Sequence, residues 1–122
     1  MKEDDRVAWT VDVAWLGADG QGRVLGINQR FTDEFGWAPE AVVGQLLTRL
    51  IPAQFHDAHN LAFSRFVEFG RSTLLGQPVQ LPVVTAGGST VMTETCIQAR
   101  QCADGWRFGA QLERMPAGGR GR

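Results

Sequence analysis

Cysteine, histidine and net charge are all scarce in this 122-residue chain, and each scarcity closes off a class of function. Two cysteines, Cys96 and Cys102, are too few for a disulfide framework and lack the paired spacing of a zinc site, so they read as ordinary thiols. The formal net charge is −1 and no basic block interrupts the sequence, which argues against field-driven attraction to nucleic acid or to an acidic membrane surface. No apolar run approaches the roughly 20 residues that cross a bilayer. The opening Met1 to Arg6 is acidic and polar where a secretory leader is basic and then apolar, so the expected location is cytoplasmic. Catalytic constellations are missing as well. Asp4 and Asp5 sit in the polar lead, Gly87-Gly88 reads as a hairpin turn, and neither cysteine has a histidine near it in sequence. The expectation is a protein that is not an enzyme.

What is present suits one globular domain, since 43% hydrophobic content supplies a core without surplus for a second. Residues 1–7 form a polar lead and residues 116–122 a glycine-rich exit, leaving a folded unit over 8–115. Trp9, Val11, Val13 and Trp15 alternate with smaller or polar residues and predict a strand, with Gly17 to Gly20 turning into a second strand over Arg23 to Ile27. The last third alternates again. Val79, Leu81 and Val83 share one strand face; Val91, Thr93, Thr95, Ile97 and Ala99 the next; Trp106, Phe108, Ala110 and Leu112 the last. Gly87-Gly88 and Ala103 to Gly105 join these three strands into a meander.

Between the two sets of strands lie helices. Asn28 can cap a turn anchored by the i, i+4 pair Phe31 and Phe35, and Pro39 with Glu40 suits the first turn of a second short helix that Gly44 stops. A third piece ends near Leu50, and a long helix runs from about Ala53 to Phe69, closed by Gly70. Stepping about 100° per residue from His59 gathers Phe55, Ala62, Phe63, Phe66 and Phe69 into one apolar arc with His59 near its middle. His56 falls at the edge of that arc, while Asp57, Asn60, Ser64 and Glu68 fill the opposite face. An inward imidazole serves either as a neutral core side chain bonded to a carbonyl or as a ligand to a haem iron. Thr93 and Thr95, polar residues on an inner strand face, either line a pocket or satisfy their hydroxyls locally, and Trp106 is either core bulk or a pocket wall.

The strand, the Asn28-x-x-Phe31 turn and the Gly36-Trp37-x-x-Glu40-x-x-x-Gly44 segment together resemble the start of a PAS sensory domain, and the resemblance extends over nearly all of Trp9 to Glu113. It implies an α+β PAS fold: a five-stranded antiparallel sheet, first and last strands paired, covered on one face by short helices and one long helix. It also implies a detector of a small ligand or cofactor held between sheet and long helix. The run from Ile51 to Asn60, with Arg65 and then Leu74 to Gly76, resembles the haem helix of rhizobial oxygen-sensing PAS kinases. In that likeness His59 is the iron ligand of a haem b and Arg65 lies near a propionate. Val79 stands where those sensors carry a distal arginine, and Thr95 where they carry an aliphatic residue. A flavin-adduct PAS domain has an Asn-Cys-Arg-Phe motif; Asn28 to Phe31 has glutamine for the cysteine and lies in an earlier segment.

Two functions follow from the resemblance. One is a sensor whose ligand contacts Phe63, Phe66, Leu74, Val79, Ile97 and Trp106 together with His59, Arg65 and the two threonines. The other is a ligand-free module for dimerisation or partner docking through the outer sheet face, which carries Val84, Met92, Cys96, Gln98 and Gln111. Either way the expected partner is a second copy or a signalling domain.

Overall fold

In a computed structural model the described residues are 13–69 and 77–115, the side chains of residue 63 and of residues 65–69 excepted. Five strands form one antiparallel sheet: β1 (Ala14–Asp19), β2 (Val24–Ile27), β3 (Val79–Val84), β4 (Thr90–Cys102) and β5 (Gly105–Arg114), ordered β2-β1-β5-β4-β3. First and last strands are neighbours, Leu16 facing Ala110 in the register. Between β2 and β3 the chain forms α1 (Gln29–Phe35), α2 (Pro39–Val42), 3-10 turns at Leu47–Leu50 and Ala53–Phe55, and α3 (His56–Phe69).

The first strand ends later than its sequence suggests. Gly17 and Ala18 are sheet residues, not a turn, and the predicted start at Trp9 lies outside the described residues. Glycine is needed at 17 for close approach: a Cβ there would stand 2.5 Å from the Trp15 indole, and one at Gly109 on the neighbouring strand 3.2 Å from Trp15 Nε1. The ring therefore lies over two glycines on the sheet's outer face. The turn comes after Asp19, whose Oδ1 accepts from the amides of Gln21 and Arg23 at 2.9 and 3.0 Å.

Asn28 binds the two halves of the fold. Its Oδ1 accepts from Phe31 N at 2.9 Å, capping α1, and from Trp15 N at 3.0 Å, while its Nδ2 donates to Val13 O at 2.9 Å. The cap seats Phe31 and Phe35 in the core, with ring centroids 4.9 Å apart, each burial contributing about 2–3 kcal/mol. Gly36 takes φ +84°, a left-handed cap that suits a residue without Cβ. Immediately after it, Trp37 Nε1 donates to Val84 O at 2.8 Å, pinning the helical segment to β3.

The core joins Ala14, Leu16, Ala18, Val24, Ile27, Phe31, Phe35, Val42, Leu50, Val83 and Leu112. It thus occupies one half of the inner sheet face, under α1 and α2. Two residues of the predicted inward arc face outward: Phe55 is 44% exposed, and Ala62, inside α3, is exposed as well. Phe55 belongs to a 3-10 turn, which winds by about 120° per residue and so leaves the phase of the helix behind it.

Candidate functional site

Along β4 and β5 the inner face divides in two. Thr93, Thr95 and Leu112 are buried, whereas Ile97, Ala99, Trp106, Phe108 and Ala110 further along the same strands are half-buried. Phe108 and Ala110 pack on the edge of the core, and the Trp106 and Phe108 rings lie 6.5 Å apart, tilted by 33°. An apolar, aromatic strip of the inner face thus stays partly open beside a sealed core. Phe108 and Ala99 belong to this strip although they were not singled out from the sequence. The alternation that marks Ile97 and Trp106 marks them equally.

His59 lies half-buried on α3. Burial lowers its pKa below the ordinary value, the nearby His56 lowers it further, and a hydrogen bond with Asn60 pulls the other way. The ring is therefore held neutral, the form whose nitrogen lone pair can accept a proton or ligate a metal. His56 has a structural contact: its Nε2 lies 2.7 Å from Ile51 O, and since a carbonyl only accepts, the nitrogen donates. That bond ties the start of α3 to the loop before Pro52.

Thr93 and Thr95 are 0% and 2% exposed, and their hydroxyls bond each other at 2.7 Å. Thr93 Oγ1 also donates to Leu81 O at 2.8 Å, so its proton is spent there and Thr95 must donate to Thr93. The chain of donors runs Thr95 to Thr93 to the carbonyl. Val79, half-buried, faces Thr95 across the β3–β4 ladder. Leu74 and the side chains of Phe63, Arg65 and Phe66 lie outside the described residues.

An open groove of about 370 Å³, lined by Val13, Arg30, Glu34, Leu112, Glu113 and Arg114, runs where β1 and β5 meet α1. Three of its charged residues are engaged: Arg30 pairs with Glu34, and Arg114 Nη1 donates to Glu34 O at 3.0 Å. None of the residues singled out from the sequence lines it. Among the described residues no group of three His, Cys, Asp or Glu could hold a metal ion, and no helix is long and apolar enough to cross a membrane.

The family profile described as PAS fold matches residues 2–105. The chain belongs to the PAS family. Solved PAS structures share the architecture at low identity. A PAS domain from Desulfitobacterium hafniense superposes with a TM-score of 0.72 at 12% identity, covering 91% of this chain and 99% of that one. The LOV protein of Rhodobacter sphaeroides gives 0.72 at 15%, covering 98% and 71%. The PAS-B domain of Drosophila melanogaster Cycle, with bound ethylene glycol, gives 0.66 at 14%, covering 84% and 99%. At these identities the likeness is one of fold. No curated protein matches the sequence.

Proposed function

We propose that this PAS domain is a non-catalytic sensory module that holds a small, largely apolar ligand or cofactor between the open strip of its sheet and helix α3. The observation that carries this reading is the contrast on one sheet face: a core sealed around Thr93 and Thr95, and beside it the half-buried strip of Ile97, Ala99, Trp106 and Phe108. Ligand occupancy would act on signalling through its differential affinity for two arrangements of sheet and helix.

Haem b is the named candidate for the ligand. His59 would hold the iron, and its neutral imidazole suits that role. Haem would supply an iron centre open to gases or redox change. The Thr93 and Thr95 hydroxyls spend both protons within the sheet and, at 0% and 2% exposure, belong to the sealed half of the interior and not to the strip. The second reading, a ligand-free docking module, draws on the same sealed half of the interior, which shows how far this chain can fill its own inner face.

The test is an absorption spectrum of protein expressed with haem precursor, with mass spectrometry of whatever denaturation releases. The sensor reading expects a retained small molecule. Its haem form expects a Soret band that His59→Ala abolishes and His56→Ala preserves. Haem uptake unaffected by His59→Ala contradicts the ligand assignment, and protein that neither retains nor takes up any molecule favours the docking module.

A further inference from the structure

The chain has three methionines. Met1 lies outside the described residues, and the other two, Met92 and Met115, stand directly opposite each other where β5 leaves the sheet. Met115 N donates to Met92 O at 3.0 Å, one row beyond the Thr93–Arg114 pair of the β4–β5 register. Thr93 is buried in the interior and Arg114 reaches Glu34 O on α1, so strand alternation turns both methionine side chains to the outer face. Directly opposed positions hold their Cβ atoms about 5 Å apart, within contact reach of two long thioethers. Pro82 flanks Met92 on its other side in the β3–β4 register. The row Pro82, Met92, Met115 is thus apolar, and it is unevenly covered: Met92 is 45% exposed, while Pro82 and Met115 are half-buried.

We propose that Met92 and Met115 form an oxidation site for peroxides, Met92 reacting first and its sulfoxide releasing Met115 and the chain beyond it. The Met92 sulfur attacks the terminal oxygen of a hydroperoxide. An S–O bond forms from the sulfur's electron pair, the O–O bond breaks, and the hydroxyl proton moves to the departing oxygen, which leaves as water or an alcohol. The sulfur is oxidised and the peroxide reduced, with no other reactant. Sulfoxide formation turns an apolar side chain into a polar one. Met92 then withdraws from Pro82 and Met115 toward water, which opens Met115 to the same reaction. The position of the pair gives this step its consequence. The Met115 amide on Met92 O and the Arg114 guanidinium on Glu34 O hold the last two described residues to the domain, and the first of these bonds lies inside the methionine row. Oxidation therefore loosens the point where the chain leaves the sheet. This goes beyond the ligand reading and is independent of it.

Timed exposure of the full chain to hydrogen peroxide, followed by digestion and mass spectrometry, tests the order of events. Fragment masses place each added oxygen and keep the thiols of Cys96 and Cys102 apart from the methionines. Met92 should react within about threefold of the rate of N-acetylmethionine amide, and Met115 at least about tenfold more slowly until Met92 is oxidised. Met92→Leu keeps the row apolar without a reactive sulfur, so Met115 stays slow. Met92→Gln is polar like the sulfoxide, so Met115 reacts at least about fivefold faster than in Met92→Leu from the outset. A second measurement reads the loosening itself: native-state trypsin should cut after Arg114 at least about fivefold faster in Met92→Gln than in Met92→Leu, with melts of both variants run alongside. Met115 oxidising at one rate in wild type and both variants overturns the proposal. So does cleavage after Arg114 that is equal in the two variants, or Met92 reacting no faster than Met115.

Discussion

Replacing Asn28 by alanine removes, in one step, the cap on α1 and two ties to β1. Losing the bond to Phe31 N costs about 1 kcal/mol, as for other N-caps. Trp15 N loses its bond to Oδ1 in a buried setting, at about 1–2 kcal/mol, and Val13 O, nearer the surface, loses its donor at about 0.5 kcal/mol. The sum is about 3 kcal/mol, which in a domain of this size lowers the melting midpoint on the order of 10 °C. Urea unfolding of wild type, Asn28→Ala and Asn28→Ser measures it. Serine can restore the short bond to Phe31 but not the reach to Trp15 and Val13, so it should recover about 1 kcal/mol. A loss below about 1 kcal/mol for alanine, or serine no better than alanine, would refute this account of how the two halves are joined.

Three further outcomes are expected. Thr93→Val strands Leu81 O and the Thr95 hydroxyl and should cost about 1–2 kcal/mol, whereas Thr95→Val removes only the first donor of the chain and should cost about half that; equal melts would contradict the donor order. Gly17→Ala must push against the Trp15 indole, so it should destabilise by about 1–3 kcal/mol and alter tryptophan emission more than Gly109→Ala, in line with the 2.5 and 3.2 Å approaches. His59 has its pKa lowered by burial, so the unfolded chain takes up a proton the folded one resists. Its share of stability is complete above the unfolded value of about 6.5 and is lost as pH falls from there toward the folded value; unfolding across pH 7 to 5 should show this loss, and His59→Gln should reduce it.

The sheet was legible because β3, β4 and β5 alternate cleanly and their turns carry Gly87-Gly88 and Asp104-Gly105. The α1 cap was legible because Asn28 stands about one turn before Phe31, and Phe31 about one turn before Phe35. Gly17 was not, because a glycine inside a strand pattern signals either a turn or a close approach, and only the position of the Trp15 ring decides between them. Periodicity turned His59 inward but gave Phe55 the same face, since it assumes one helical pitch through a stretch that opens with a 3-10 turn. For Thr93 and Thr95 the sequence left two uses open; whether a hydroxyl finds the carbonyl of the residue facing it on the next strand depends on register, which composition does not carry.

The central claim is that a small molecule occupies the space between α3 and the strip around Ile97 and Trp106. Native mass spectrometry of freshly purified wild type and of Ile97→Trp tests it most directly, because the larger ring would take up the proposed ligand's place on the half-buried strip while keeping the site apolar. The account predicts wild type at the mass of the chain plus a ligand, and Ile97→Trp folded but at the mass of the chain alone. Wild type at the bare chain mass that gains nothing from cell extract, or Ile97→Trp that retains the same added mass, would contradict it.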